Sequence, residues 1–175
     1  MAAEIAERRG LDRARIWATG YPAMDCVFHG GGARPAGKRP TVLYAPTDRP
    51  MLSSAEMLGD EAVELIGRGR TDIDIVLKPH PRHAEAPPPW LAGWRELATR
   101  YPNVALIDDP AVRIADIMIA ADVLISDVSS VMLEFLALDR LMVLISNPNR
   151  FNDSTHFDSA GYEWAWRDMG EEVHD

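Results

Sequence analysis

One stretch, residues 122–145 (DVLISDVSSVMLEFLALDRLMVLI), constrains the fold more than any other part of the chain. Two apolar runs, Val123-Leu124-Ile125 and Leu141-Met142-Val143-Leu144-Ile145, flank a helical segment of about ten residues, which is the shape of a βαβ unit. The turn out of the first run is Ser126-Asp127-Val128-Ser129-Ser130. Hydroxyls and backbone N–H groups at a strand-to-helix turn face the positive end of the helix dipole, where α/β sheets bind phosphate or nucleotides. The same residue types are also ordinary N-caps that need no ligand, so the turn alone leaves both readings open. Glu134 falls near the start of the helix inside an otherwise apolar run, Val131 to Leu136. A carboxylate there is either a dipole-stabilised surface group or an acceptor for a ribose diol.

The rest of the chain repeats the pattern. Residues 1–9 read as the end of a helix closed by Gly10, and 14–19 (ARIWAT) read as a short strand before the turn Gly20-Tyr21-Pro22. Residues 29–40 (HGGGARPAGKRP) lack P-loop spacing and read as a linker, with Arg34, Lys38 and Arg39 as a local cationic cluster. Strands follow at 41–45, 73–77 and 104–107. Ser53 and Glu56 have capping-box spacing ahead of one amphipathic helix carrying Leu58, Ala62, Leu65 and Ile66. Three prolines at 87–89 precede a helix whose apolar face is Trp94, Leu97, Ala98 and Tyr101. Asp109 reads as a cap with Pro110 at the first helical position, and Val112, Ala115 and Ile119 as the buried face.

This order predicts an α/β fold, a doubly wound Rossmann-like parallel sheet of five to six strands. Three spans are expected: 1–13 as the end of a preceding helix and linker, 14–146 as the Rossmann-like domain, and 147–175 as a polar tail anchored by Trp164 and Trp166. With 175 residues, 47% of them hydrophobic, the chain has material for one ordinary domain. Its formal charge of −9 argues against nucleic acid as the main partner. No membrane span or signal peptide is read, and a cytoplasmic location is the default. Cys26 stands alone, which leaves no disulfide framework or thiolate metal cluster, and reads as a packed small residue.

Ligands of doubly wound sheets bind beyond the carboxyl ends of the strands. That gives weight to Thr47-Asp48, to residues 78–83, to Asp108-Asp109 and to the serine turn. His80 is held between Pro79 and Pro81, so its imidazole is presented from a fixed, extended backbone beside Lys78 and Arg82. Beside the serines, such an imidazole can bind a diphosphate or donate a proton to a leaving phosphate.

Taken together, TGYPAMD at 19–25, VLYAPT at 42–47, LKPHP at 77–81 and ADVLISDVSSVMLEFLALDR at 121–140 resemble the C-terminal half of the CDP-glycerol glycerophosphotransferases, which build teichoic-acid-type polymers. The resemblance implies one half of a GT-B fold, binding a nucleotide-diphosphate-activated donor, CDP-glycerol first among them, with no metal or cofactor. It implies that His80, Ser129 and Ser130 contact the donor diphosphate and that Glu134 approaches the ribose, with Asp127, Lys78 and Thr47 completing the donor site. It further implies a polymer or lipid-linked acceptor, an N-terminal half-domain partner that supplies the acceptor base, and an optional peripheral place at the inner membrane face.

Two departures from the family pattern stand out. Ala23 and Met24 replace an Arg-Asn pair, and Ala160-Gly161-Tyr162-Glu163 lacks the Arg that usually precedes the Gly. They leave two other readings open: a non-catalytic nucleotide-binding remnant or split-enzyme subunit, and a relative of the UDP-sugar glycosyltransferases and 2-epimerases.

Overall fold

Five apolar runs become parallel strands in the computed structural model, which describes residues 6–7, 9–17, 19–25, 39–153, 155 and 158–173. In chain order the strands and helices are β1 (Thr41–Tyr44), α1 (Ser54–Leu58), α2 (Glu61–Gly69), β2 (Asp74–Leu77), α3 (Trp90–Arg100), β3 (Val104–Leu106), α4 (Ile114–Met118), β4 (Val123–Ser126), α5 (Ser130–Leu136), β5 (Leu141–Ile145), α6 (Tyr162–Ala165) and β6 (Glu171–Val173). The sheet order is β3-β2-β1-β4-β5-β6, with every pair parallel. The chain builds outward from β1 through β2 to β3, then crosses back to place β4 on the other side of β1. The order therefore reverses between β1 and β4, and in open α/β sheets the ligand crevice lies outside the carboxyl ends of the strands at that point.

Alternation along the strands divides the core between the two faces of the sheet. Leu43, Leu124, Met142 and Leu144 pack with Ala115 and Met118 of α4 and with Met132 and Phe135 of α5. Tyr44, Ile75 and Leu77 pack on the opposite face with Ala55, Val63 and the α3 residues Trp90, Leu91, Trp94 and Leu97. Trp94 is fully buried and lies 5.3 Å from the Tyr44 ring and 4.5 Å from Trp90. Burial of these aromatic residues, at about 25 cal/mol per Å² of apolar surface, makes the second layer a large contributor to stability.

Several local expectations change. The six-strand count is completed by β6 near the end of the chain, and the described residues of the 14–19 stretch are not in a strand. Asp12 accepts from the Ala14 N–H and caps a single 3-10 turn at Arg13–Arg15, and Trp17 is left exposed. The polar sequence Glu171-Glu172-Val173 gave no strand signal; it is held at the sheet edge by β5 and by the Ser146 N–H, which donates to the Val173 carbonyl. The helix after Ser53 is two helices, because Gly59 (φ 58°, ψ −135°) ends α1 and the chain restarts at Glu61. The Asp109 carboxylate accepts from the Ala111 N–H within a turn, and α4 begins later, at Ile114.

Other expectations hold in part. Ala6, Glu7 and Arg9 are helical and Gly10 adopts a positive φ of 61°, with the Leu11 N–H returning to the Ala6 carbonyl. Trp164 is half-buried, with the Arg150 and Arg167 guanidinium groups each 5.0 Å from its ring, whereas Trp166 is 44% exposed and is not the anchor expected. Met24, where the family has Asn, is buried against the core of the first face. Cys26, Arg34, Lys38 and nearly all of the 29–40 linker lie outside the described residues. No helix among the described residues is long and apolar enough to cross a membrane.

Candidate functional site

The site is built on the turns that leave β1 and β4, which are locked together by one carboxylate. Asp127 is fully buried. Its Oδ1 accepts from the Thr47 and Val128 N–H groups, both at 2.8 Å, and its Oδ2 accepts from the Ser54 N–H (2.7 Å) and the Ser54 hydroxyl (2.8 Å). Tyr44 Oη lies 2.8 Å from Ser54 Oγ and extends the chain of hydroxyls beneath the turn. Ser126 Oγ donates to the Ala45 carbonyl at 2.7 Å, and Arg167, buried behind the turn, donates to the Asp127 carbonyl at 2.7 Å. Burial pushes the Asp127 carboxyl above its ordinary pKa, while these donors pull it down. A proton on the carboxyl would find only Ser54 Oγ as an acceptor, since every other neighbour is a donor. The ionised form therefore fits the geometry better.

The sequence places Asp127 among the donor contacts, but the structure puts it beneath the site, holding the turns that form it. Both its oxygens are already occupied. What the clamped turn presents outward is Ser129 and Ser130. Ser129 has an extended backbone and caps α5 through a 3.4 Å bond from the Val131 N–H.

His80 approaches from β2. Its backbone is extended (φ −59°, ψ 140°), as the flanking prolines require, and Nδ1 accepts from the Arg82 N–H at 3.3 Å. With Nδ1 acting as acceptor, the neutral ring carries its proton on Nε2, which lies 4.0 Å from an Asp48 carboxylate oxygen. Partial burial holds the imidazole below its ordinary pKa, against the pull of Asp48. His80 is thus a neutral N–H donor near pH 7. Burial raises the Asp48 carboxyl, but the 2.8 Å bond from Arg82 and the nearby His80 outweigh that and keep it low.

His80, Ser129 and Ser130 stand together on a cleft of about 400 Å³, which is also lined by Lys78, Tyr21, Arg113 and Glu134. Val112, Ile114, Ala115, Val131 and four prolines give this cleft an apolar wall. Lys78 is buried and donates to the Asp109 carbonyl at 2.9 Å; its burial lowers its pKa despite nearby Asp109 and Asp108. Glu134 accepts from Tyr21 Oη at 3.3 Å, and burial raises its carboxyl above the usual range. Thr47 is buried and lines a separate depression of about 280 Å³ that shares His80, Ser129 and Ser130 with the first cleft. Of the expected residues, His80, Ser129, Ser130, Glu134 and Lys78 thus share one cavity, Thr47 lines its neighbour, and Asp127 lies below.

Three further residues were not marked by the sequence. Tyr21 lies in the Gly20-Tyr21-Pro22 turn, within the 19–25 segment that carries part of the family resemblance, but no site role was read for it. Arg49 follows Thr47-Asp48 directly, and the weight given to the turn after β1 could have been extended to it. Arg113 enters the cleft because α4 starts later than the Asp109-Pro110 signal implied. Among the described residues, no three His, Cys, Asp or Glu side chains converge on a metal site.

With the switch-point cleft described, the sequence model of CDP-Glycerol:Poly(glycerophosphate) glycerophosphotransferase is found to match residues 1–148. The chain belongs to that family. No curated protein matches the sequence. Among solved structures, a crystal form of the wall teichoic acid polymerase TagF after a soak with CDPG is 20% identical with a TM-score of 0.61, over 86% of this chain and 37% of that one. A putative UDP-N-acetylglucosamine 2-epimerase from Listeria monocytogenes is 18% identical (TM-score 0.58; 85% and 41% covered). The heptosyltransferase WaaC of E. coli with ADP is 12% identical (TM-score 0.54; 97% and 47% covered). These likenesses establish the fold, a Rossmann-like half of the GT-B architecture. This glycerophosphotransferase-family chain spans less than half the length of each of these three structures.

Proposed function

We propose that this chain is the donor-binding domain of a glycerophosphotransferase, and that its donor is CDP-glycerol. Family membership supports a transferase role. The observation that carries the donor reading is the meeting of the His80 imidazole with Ser129 and Ser130 at the β1/β4 switch point, on one cleft that is also lined by apolar residues and Glu134. In this reading the base lies along the Val112–Ala115 side and Glu134 accepts the ribose hydroxyls. The diphosphate accepts hydrogen bonds from His80 Nε2 and the two serine hydroxyls, with Lys78 adding positive charge.

The transfer itself is a displacement at phosphorus. An acceptor hydroxyl oxygen bonds to the β-phosphorus, the bond from that phosphorus to the bridging oxygen breaks, and CMP departs with the electron pair. His80 and the serines stabilise the charge that gathers on the departing CMP. The acceptor proton passes to a base on an N-terminal half-domain, and the acceptor is a polymer or lipid-linked polyol, for which a place at the inner membrane face is suited. Thr47 and Asp127 serve by holding the turn.

Calorimetric titration with CDP-glycerol, CMP and UDP-N-acetylglucosamine tests the reading. Binding of the cytidine ligands, weakened about tenfold or more for CDP-glycerol in His80→Ala, is the expected result, since a hydrogen bond to a charged group contributes about 1.5–3 kcal/mol. A folded protein that binds none of the three refutes it.

A further inference from the structure

Arg167 is a buried charge to which the donor reading gives no part. It opens a 3-10 turn at Arg167–Met169 just ahead of β6, and it lies beyond residue 148, where the match to the family model ends. Its side chain is only 7% exposed, and its guanidinium reaches three elements at once. One nitrogen donates to the Asp127 carbonyl at 2.7 Å, another donates at 3.0 Å to Ser146 Oγ just after β5, and Nε pairs with Glu172 of β6 at 3.1 Å. Ser146 Oγ donates in turn to the same Glu172 oxygen at 2.6 Å. The Trp164 ring lies 5.0 Å from the guanidinium. A buried guanidinium is costly unless its donors are used and its charge is answered. Glu172 answers the charge, and the Asp127 carboxylate adds to the attraction.

The bond to Asp127 bears on the shape of the serine turn. The peptide that joins Asp127 to Val128 is held at both ends: its carbonyl oxygen accepts from Arg167, and its N–H donates to the Asp127 carboxylate at 2.8 Å. Such a peptide cannot rotate without breaking both bonds. It stands directly ahead of Ser129, whose extended backbone (φ −146°, ψ 147°) opens α5. Without Arg167 the buried carbonyl loses this donor, and a rotation that seeks another carries Ser129 and Ser130 with it.

We infer that Arg167 is a positioning residue: through the Asp127–Val128 peptide it holds Ser129 and Ser130 where they meet a diphosphate. The inference rests on the donor reading above and makes that site depend on the C-terminal stretch. Arg167 lines neither cleft, so it acts through the turn and not on the ligand. Glu172 and Ser146 set the guanidinium in place, which gives the polar edge strand β6 a part in the site as well as in the sheet.

The test compares Arg167→Met, which keeps the length of the side chain and removes its donors, and Arg167→Lys, which keeps the charge and can still reach one acceptor, with the unaltered chain. Calorimetric titration with CDP-glycerol is run at a temperature where circular dichroism shows each protein folded. Arg167→Met is expected to weaken binding about tenfold or more, and Arg167→Lys is expected to restore part of the loss. Hydrogen exchange supplies a second readout that a merely structural role would not move. In Arg167→Lys the Val128 amide is expected to exchange about tenfold faster relative to the Ile75 amide, which donates to the Asn103 carbonyl at 2.7 Å within the sheet. If Arg167→Met does not fold, Arg167→Lys carries the test by both readouts. If CDP-glycerol binds the unaltered chain and the folded variants keep its affinity within about twofold, or if the Val128 and Ile75 amides speed up alike, Arg167 serves stability alone. The positioning role is then overturned and the donor reading stands. If CDP-glycerol does not bind the unaltered chain, the donor reading falls and the positioning role falls with it.

Discussion

Replacement of Asp127 by Asn tests the clamp beneath the serine turn and the charge of its carboxyl in one step. The two side chains are nearly isosteric, so packing is kept and the change is electrical. In either orientation the new amide nitrogen faces two donors: the Thr47 and Val128 N–H groups on one side, or the Ser54 N–H and hydroxyl on the other. Two charge-assisted hydrogen bonds are lost, at about 1.5–3 kcal/mol each, and in the orientation with the nitrogen toward Ser54 its hydroxyl recovers about 1 kcal/mol by reversing to accept from the amide. Relief of the desolvation of a buried charge offsets a further part. The net expected cost is about 2–4 kcal/mol, a large share of the roughly 5–15 kcal/mol that holds an ordinary domain folded. Urea denaturation at neutral pH, followed by circular dichroism, reads this as a fall in midpoint at unchanged slope, and by calorimetry the melting temperature drops by about 5–12 °C. A cost below about 1 kcal/mol would refute the reasoning, because it would mean that the carboxyl is already protonated or that the four donors do not depend on it.

Two more outcomes follow from local geometry. Gly59→Ala places a Cβ where nothing lies within 4 Å, yet φ is 58° and ψ −135°, so the cost is backbone strain alone; about 1–3 kcal/mol of lost stability is expected by urea denaturation. Burial holds His80 and His83 below their ordinary pKa of 6.5, so as pH falls through that value the unfolded chain takes up protons that the folded imidazoles refuse. Stability present above pH 6.5 is therefore lost on acidification, and the decline in urea midpoint between about pH 7.5 and 5.5 should be shallower in His83→Gln.

The parts of the fold that could be read from the sequence are those in which side-chain pattern and backbone state agree. The apolar runs at 41–44, 74–77, 104–106, 123–126 and 141–145 are strands because pairing in the sheet buries most of their side chains, and the helices between them follow. What escaped reading was set by tertiary context. Glu171-Glu172-Val173 has no strand composition and becomes β6 through pairing with β5 and the Arg167–Glu172 ion pair at 3.1 Å. The 14–19 stretch has a passable strand pattern, but the Asp12 cap turns its start into a 3-10 turn at Arg13–Arg15 instead. Within the site, His80, Ser129 and Ser130 were legible because proline brackets and a strand-to-helix turn fix where a side chain goes. Asp127 was not, since its type fits a ligand contact and a buried clamp equally well, and only the positions of Thr47 and Ser54 decide between them. Arg167 and Asp127 are 40 residues apart, and no local pattern joins them.

The most direct test of the central claim is a crystal structure of this chain with CDP-glycerol bound. The account predicts diphosphate oxygens within hydrogen-bond distance of His80 Nε2 and of the Ser129 and Ser130 hydroxyls, with the ribose at Glu134. A nucleotide bound away from the β1/β4 switch point, or one that leaves His80 without contact, would contradict it.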